Sequence, residues 1–120
     1  MPLVKDIKLT SLEEEIIQGL TRLLEKELPE AKSMILFGSR ARGGSDEESD
    51  MDLAIVLDLP MITRTFREKV WQLKWDVLGS LDAEEFPLSI LLLTYGDFIN
   101  RNSGIEGTIK REGVVLWERN

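Results

Sequence analysis

Hydrophobic positions recur at helical spacing between Ser11 and Pro29. The apolar residues lie three or four apart, as on one face of an amphipathic helix: Leu12, Ile16, Ile17, Leu20, Leu23, Leu24 and Leu28. Ser11 followed by Glu14 has the spacing of a capping box, and Pro29 cannot continue a helix because its nitrogen carries no hydrogen-bond donor. The pattern predicts a helix over about residues 11–28.

Four shorter apolar runs have the length of β-strands. They cover residues 33–37, 51–57, 86–94 and 114–117. The third run, FPLSILLLT, is the most apolar stretch of the chain, so we expect it to lie centrally in the sheet.

A second helix is predicted over about residues 62–80, with Gly79 as a stop signal. Its apolar face is formed by Phe66, Val70, Leu73, Val77 and Leu78, with Trp71 and Trp75 on the flank. Residues 43–50 have the polar, glycine-rich character of a loop. Residues 95–112 are mixed: Asp97 is a possible helix cap, whereas Gly104 and Gly107 argue against one continuous helix.

Length and composition indicate one soluble domain spanning residues 1–120. The chain is 42% hydrophobic and 31% charged. No apolar run approaches the roughly 18 residues that a membrane span needs, and the first residues lack the apolar core of a signal peptide. We therefore expect a cytoplasmic protein that does not bind membranes.

The absence of two residue types limits the catalytic and metal-binding chemistry available to this chain. There are no cysteines and no histidines, which excludes disulfides, thiolate metal sites and a histidine general base. Any metal site must consist of carboxylates, so Mg²⁺ or Mn²⁺ is expected. The net charge of −7 argues against non-specific nucleic-acid binding, which needs a broad positive surface.

The first candidate site is Gly38-Ser39, directly after the first predicted strand. Glycine lets the backbone approach a ligand, and backbone amides at such a junction can hold phosphate oxygens. Ser39 adds a hydroxyl, while Arg40 and Arg42 offer positive charge, although we expect only one of the two arginines to face a ligand. Taken alone, the same residues are also typical of an ordinary turn.

The second candidate site is Asp50-Met51-Asp52 at the start of the second predicted strand. Residues two apart on a strand project to the same side, so the two carboxylates would converge on one point. Mg²⁺ is commonly held by one or two carboxylates, with water and substrate phosphates as the other ligands. The alternative is that Asp50 caps a turn and Asp52 points into solvent.

Together these motifs resemble the nucleotidyltransferase superfamily related to DNA polymerase β, whose signature is Gly-Ser, a spacer of about ten residues, and Asp-x-Asp. Here residues 40–49 form the spacer. The strings GSRARGG and SDMDLAIVLD, the strand FPLSILLLT and the ending IKREGVVLWE are similar to its minimal nucleotidyltransferase branch.

The resemblance implies an α/β (α+β) nucleotidyltransferase fold, with a mixed sheet of about four strands and helices packed on one side. It also implies that Asp50 and Asp52 bind Mg²⁺, that Gly38 and Ser39 bind phosphate, and that ATP is the usual nucleotide. The companion of this branch is a small helical HEPN ribonuclease toxin, which the nucleotidyltransferase binds and, in active members, adenylylates. The acidic balance of this chain would complement a basic partner.

Two groups of side chains have both a functional and a structural interpretation. Trp71, Trp75, Trp117 and Phe98 would form a partner surface if exposed, although aromatic residues at such spacing more often belong to a core. Arg64, Arg67 and Lys69 form either a phosphate clamp or, more commonly, a solvated helix face. The sequence leaves both a homo-oligomer and a hetero-oligomer possible.

One position departs from the family pattern. Active members carry a third carboxylate on the strand that corresponds to residues 86–94, and its place is taken by Ser89. Serine is a poor base and a weak Mg²⁺ ligand, and Glu84 and Glu85 lie before Pro87. Three functions therefore remain: a protein adenylyltransferase, a module that neutralises a toxin by contact, and a small-molecule transferase of the aminoglycoside type.

Overall fold

The computed structural model describes residues 8–42 and 50–120. This part of the chain contains helices α1 (Ser11–Glu27), α2 (Arg64–Ser80), α3 (Tyr95–Asn100) and α4 (Gly104–Glu112), and strands β1 (Ala31–Phe37), β2 (Met51–Leu57), β3 (Leu88–Thr94) and β4 (Val114–Glu118). None of the described helices has both the length and the apolar character that a bilayer crossing requires.

The four strands form one mixed sheet in the order β3-β2-β1-β4. β1 is antiparallel to β2 and β4, whereas β2 and β3 are parallel and are joined by α2. The expected mixed sheet of about four strands is thus confirmed.

The central position expected for the third strand is wrong, because β3 lies at an edge. Its apolar character has another cause. Ile90 and Leu92 pack against the core under α1 and α2, and Leu91 and Leu93 belong to a second cluster on the other face. A strand that is covered on both faces needs apolar side chains on both faces, whether it lies at the centre or at the edge of the sheet.

Apolar side chains cover both faces of the sheet. Met34 and Leu36 of β1 point into the larger cluster, which includes the buried residues of α1 and α2. Ile35, between them, points the opposite way and joins Val56 and Ile109 in a smaller cluster. The two long helices therefore lie on one side, as expected, and the short helices α3 and α4 extend the cover to part of the other side.

The start of α1 differs by one residue from the sequence interpretation. Thr10, not Ser11, is the N-cap: the Glu13 amide donates to Thr10 Oγ1 at 3.1 Å, and the Thr10 amide donates to Glu13 Oε1 at 2.8 Å. Both threonine and serine have a glutamate three residues later, so the pattern alone does not separate them.

The other helix boundaries also shift slightly. Thr63 caps α2, and Gly79 lies inside that helix instead of ending it. Residues 95–112 divide into two helices, as the glycines suggested, but Thr94 rather than Asp97 caps the first of them, because the Asp97 amide donates to Thr94 Oγ1 at 3.1 Å.

Candidate functional site

Asp50 and Asp52 lie at the beginning of β2, on the side of the sheet away from the larger core. Asp52 shares its face with Ala54 and Val56, which belong to the smaller cluster. Asp50 is exposed and Asp52 is partly buried. Burial and the nearby Asp50 carboxylate raise the pKa of Asp52 above its ordinary value of 3.8, while the charge of Arg42 opposes this rise. The two carboxylates are thus close enough to repel each other.

Three strand ends meet at Asp52. Its Cα is paired with Phe37, the last residue of β1, and with Ser89, the second residue of β3. Gly38 follows Phe37 directly and has a φ of +76°, a left-handed conformation that favours glycine. A Cβ atom on Gly38 would overlap Oδ2 of Asp52. The glycine of the first motif and the second aspartate of the other motif are therefore in contact, although fourteen positions separate them in the chain (52 − 38).

The two arginines in the turn after Gly38, Arg40 and Arg42, have different contacts. The Arg42 amide donates to the Ser39 carbonyl at 3.2 Å. The Arg40 side chain points to α1 and forms an ion pair with Glu13, with side-chain exposures of 12% and 1%. Arg42 is more exposed, lies 3.7 Å from Glu112 and acts electrostatically on Asp52. Arg42 is thus the arginine beside the carboxylate pair, and Arg40 fixes the turn to α1.

No third carboxylate joins Asp50 and Asp52 among residues 8–42 and 50–120. Ser89, the register partner of Asp52, is exposed. Glu84 and Glu85 line a depression together with Leu12 of α1, on the opposite side of the sheet.

The two aspartates fit a hard divalent cation. Their mutual repulsion is an electrostatic cost that a cation would remove, and two carboxylates leave most positions of an octahedron open for water and phosphate oxygens.

Sequence reasoning missed Glu13. It assigned the capping glutamate to position 14, whereas Glu13 is buried and holds both the start of α1 and Arg40. The signal is present as Thr10-x-x-Glu13, one residue before the equally spaced Ser11-x-x-Glu14.

The basic and aromatic residues of α2 lie away from the aspartates, because α2 covers the opposite face. Arg64, Arg67 and Lys69 are exposed, and Arg64 pairs with Glu68 at 3.0 Å. Trp71 is 58% exposed, while Trp75, Trp117 and Phe98 are partly buried and pack against the two clusters. The aromatic residues thus divide: one is a surface residue and three contribute to cores.

Comparison with protein families gives one match that spans most of the chain. The model for "Polymerase beta, Nucleotidyltransferase" matches residues 18–120. The chain belongs to this family. The family resemblance inferred from the two motifs is therefore confirmed. None of the curated proteins matches the chain significantly.

Solved structures show the same fold at low sequence identity. A chain of a toxin–antitoxin complex determined with AMP-PNP is 19% identical, with a TM-score of 0.59, covering 87% of this chain and 74% of its own length. A candidate nucleotidyltransferase from Sulfolobus solfataricus is also 19% identical, with a TM-score of 0.52 and coverages of 96% and 94%. A complex of a tri-AMPylated Shewanella oneidensis HEPN toxin with its MNT antitoxin gives 18% identity, a TM-score of 0.51 and coverages of 88% and 72%.

Proposed function

We propose that this nucleotidyltransferase domain binds a Mg²⁺–ATP complex at Asp50 and Asp52 and transfers AMP to a hydroxyl group of a HEPN-family toxin, for which it is the antitoxin. The observation that carries the proposal is the contact between Gly38 and Asp52. It joins a bend able to hold phosphate to a pair of carboxylates able to hold a cation.

Each residue of the site has a distinct role in this proposal. Asp50 and Asp52 hold Mg²⁺, which when bound neutralises phosphate charge. The Gly38-Ser39 bend orients the triphosphate, and Arg42 adds positive charge at its exposed side. The acceptor oxygen forms a bond to the α-phosphorus, the bond from that phosphorus to the bridging oxygen breaks, and pyrophosphate leaves, while the hydroxyl proton passes to solvent.

The partner is supported by the structural neighbours and by charge. One neighbour is an antitoxin in complex with an AMPylated HEPN toxin, and another toxin–antitoxin complex contains AMP-PNP. The net charge of −7 suits a basic protein partner better than it suits a polyanion.

A second function, neutralisation by contact alone, is favoured by Ser89. This residue is the neighbour of Asp52 on β3 and offers no carboxylate to accept a proton. The chain would then bind nucleotide and toxin without joining them.

The two functions are separated by incubating the protein with Mg²⁺, α-labelled ATP and a co-purified HEPN-family partner. Adenylyl transfer gives label on the partner, and the label is lost in Asp50→Asn and Asp52→Asn. Asp58→Asn is the matched control, because Asp58 is exposed just beyond the other end of β2. A stable complex that never acquires label would contradict transfer and support the contact mechanism.

Ser89→Asp tests the role of the third position directly. If catalysis is limited by the missing carboxylate, this substitution raises the transfer rate by about tenfold or more, since general-base catalysis contributes roughly 10²–10⁴-fold. Ser89→Asn has a similar shape without the charge and leaves the rate unchanged. An equal rate in the two variants would show that no base is needed at this position.

A further inference from the structure

The outer edge of β3 lacks the features that usually protect an edge strand. Its seven residues, LSILLLT, contain no charged residue and no proline, and the pairing with β2 runs without a bulge from Leu88 to Thr94. Proteins commonly blunt such edges with charges, prolines or bulges, because the unpaired backbone groups can pair with another chain. Within the described residues, no other strand pairs with this edge.

A groove of about 270 Å³ runs between this edge and α2. Its floor is apolar and consists of Val70, Ile90 and Leu92, while Arg67, Trp71 and Lys74 form its walls. Trp71 is 58% exposed and contacts Trp75 edge to face at a centroid distance of 5.6 Å. Such a ring is a large apolar surface available to a partner.

The groove is positively charged in an acidic chain. Both of its charged lining residues are basic, and no carboxylate of the described residues lies within ion-pair distance of Arg67 or Lys74. Lys74 is held in place: its Nζ donates to the Leu88 carbonyl at 2.8 Å and lies 5.1 and 5.2 Å from the Trp71 and Trp75 ring centroids. The net charge of the whole chain is −7, so the charge of this groove is opposite in sign to that of the protein as a whole.

From these features we infer that the groove binds an extended, acidic segment of a partner protein as a fifth strand beside β3. The backbone of the segment pairs with the edge from Ile90 onward, since the Leu88 carbonyl already accepts from Lys74. Its apolar side chains lie on Ile90 and Leu92 beside Trp71, and its carboxylates face Arg67 and Lys74. The groove lies on the face opposite Asp52, so this inference does not depend on nucleotide binding.

Two other occupants fit less well. A second copy joined edge to edge through β3 would bring the two α2 helices together on one face, with Arg67 and Lys74 near the same residues of the other copy. A single-stranded nucleic acid would meet the basic residues but has no apolar side chains for the floor and no strand backbone for the edge.

The test uses a fluorescein-labelled decapeptide of alternating glutamate and valine, with anisotropy at low ionic strength and ¹H–¹⁵N spectra of the full chain. A peptide of alternating lysine and valine and a ten-nucleotide oligothymidine are the alternative probes. We expect binding of the acidic peptide, with shifts in the β3 amides and the Trp71 indole. Methylation of alternate backbone nitrogens of the peptide abolishes binding if the segment adds as a strand.

Matched variants link this binding to the groove. Arg67→Glu lowers the affinity for the acidic peptide by about tenfold or more, because it reverses a charge on the groove wall. Arg64→Glu leaves the affinity unchanged, since Arg64 is on the same helix but outside the groove. Circular dichroism verifies that both variants fold.

Several results would overturn the inference. These are absence of binding by the acidic peptide, equal binding of the basic peptide or the oligothymidine, indifference to Arg67→Glu, and retention of affinity by the methylated peptide. Sedimentation that showed a dimer in which the β3 amides were protected would assign the edge to self-association instead.

Discussion

At the scale of single residues, Gly38 combines a left-handed backbone conformation with close contact to the carboxylate of Asp52. Its φ is +76°, and an added Cβ would overlap the carboxylate of Asp52. We expect Gly38→Ala to lower the free energy of unfolding by about 1–3 kcal/mol, because alanine is strained in this region and Asp52 must move. The same variant should weaken Mg²⁺-dependent ATP binding, measured by calorimetry.

The control for this prediction is Gly79→Ala. Gly79 lies within α2 and has nothing within 4 Å of its added Cβ, so alanine there should stabilise the protein by about 0.5–1 kcal/mol. Urea unfolding measures both variants. Equal changes in the two would contradict a special role for Gly38.

Asp52 gives a prediction about pH. Burial and Asp50 raise its pKa in the folded protein above the ordinary value of 3.8. Protonation is therefore easier in the folded state, and the stability linked to this group is fully present below pH 3.8 and is lost as the pH rises through the folded pKa. Asp52→Asn should accordingly raise the free energy of unfolding at pH 7 relative to the wild-type protein, and this gain should shrink toward low pH in urea titrations.

The neighbouring carboxylate provides an independent measurement of the same effect. Asp50→Asn removes a cause of the raised pKa, so the carboxyl ¹³C signal of Asp52 should titrate at lower pH in that variant. Mg²⁺ should shift the titration in the same direction. An unchanged titration would mean that the two side chains do not interact.

At the scale of elements, the beginning of α1 holds the site turn in place. Glu13 closes the capping box with Thr10 and also pairs with Arg40. We expect Thr10→Ala to cost about 1 kcal/mol, the usual value of a cap, and Glu13→Ala to cost about 3 kcal/mol, because the latter also breaks a buried ion pair. Glu14→Ala, at the exposed next residue, should change stability by less than about 0.5 kcal/mol.

Local patterns predicted the elements better than they predicted the arrangement. The bounds of β2 were correct because its apolar run is interrupted at both ends by polar residues. The cap of α1 was displaced because Thr10 and Ser11 satisfy the same rule. The edge position of β3 was missed because hydrophobicity reports which faces are covered and carries no information about neighbouring strands.

The candidate site was predictable to a similar extent. The spacing of Gly38 and Asp52 gave the correct family, since a strand alternation and a glycine bend are local properties. The direction of Arg40 was not predictable, because it depends on Glu13, which lies 27 positions earlier in the chain (40 − 13).

At the scale of the whole molecule, Arg119 connects β4 to the corner between α1 and β1. Its guanidinium donates to the carbonyls of Ala31, Leu24 and Leu28 at 2.8, 2.9 and 3.1 Å. Arg119→Ala should lower the free energy of unfolding by about 3 kcal/mol, because three partly buried carbonyls lose a charged donor. Arg119→Lys should recover part of this loss.

The control is Arg64→Ala, since Arg64 is exposed and pairs with the exposed Glu68 at 3.0 Å. Its loss should cost less than about 0.5 kcal/mol in the same urea titration. A similar cost for the two alanine variants would show that the bonds of Arg119 contribute little.

The placement of the core and of the acidic pair on opposite faces of the sheet determines which substitutions the fold can accept. The two long helices, α1 and α2, pack with the larger cluster on one face, and the acidic pair lies on the other. Substitutions at Asp50, Asp52 or Ser89 therefore leave the principal packing untouched. A chain with this architecture can lose its reaction while keeping its shape, and a former enzyme can persist as an adaptor.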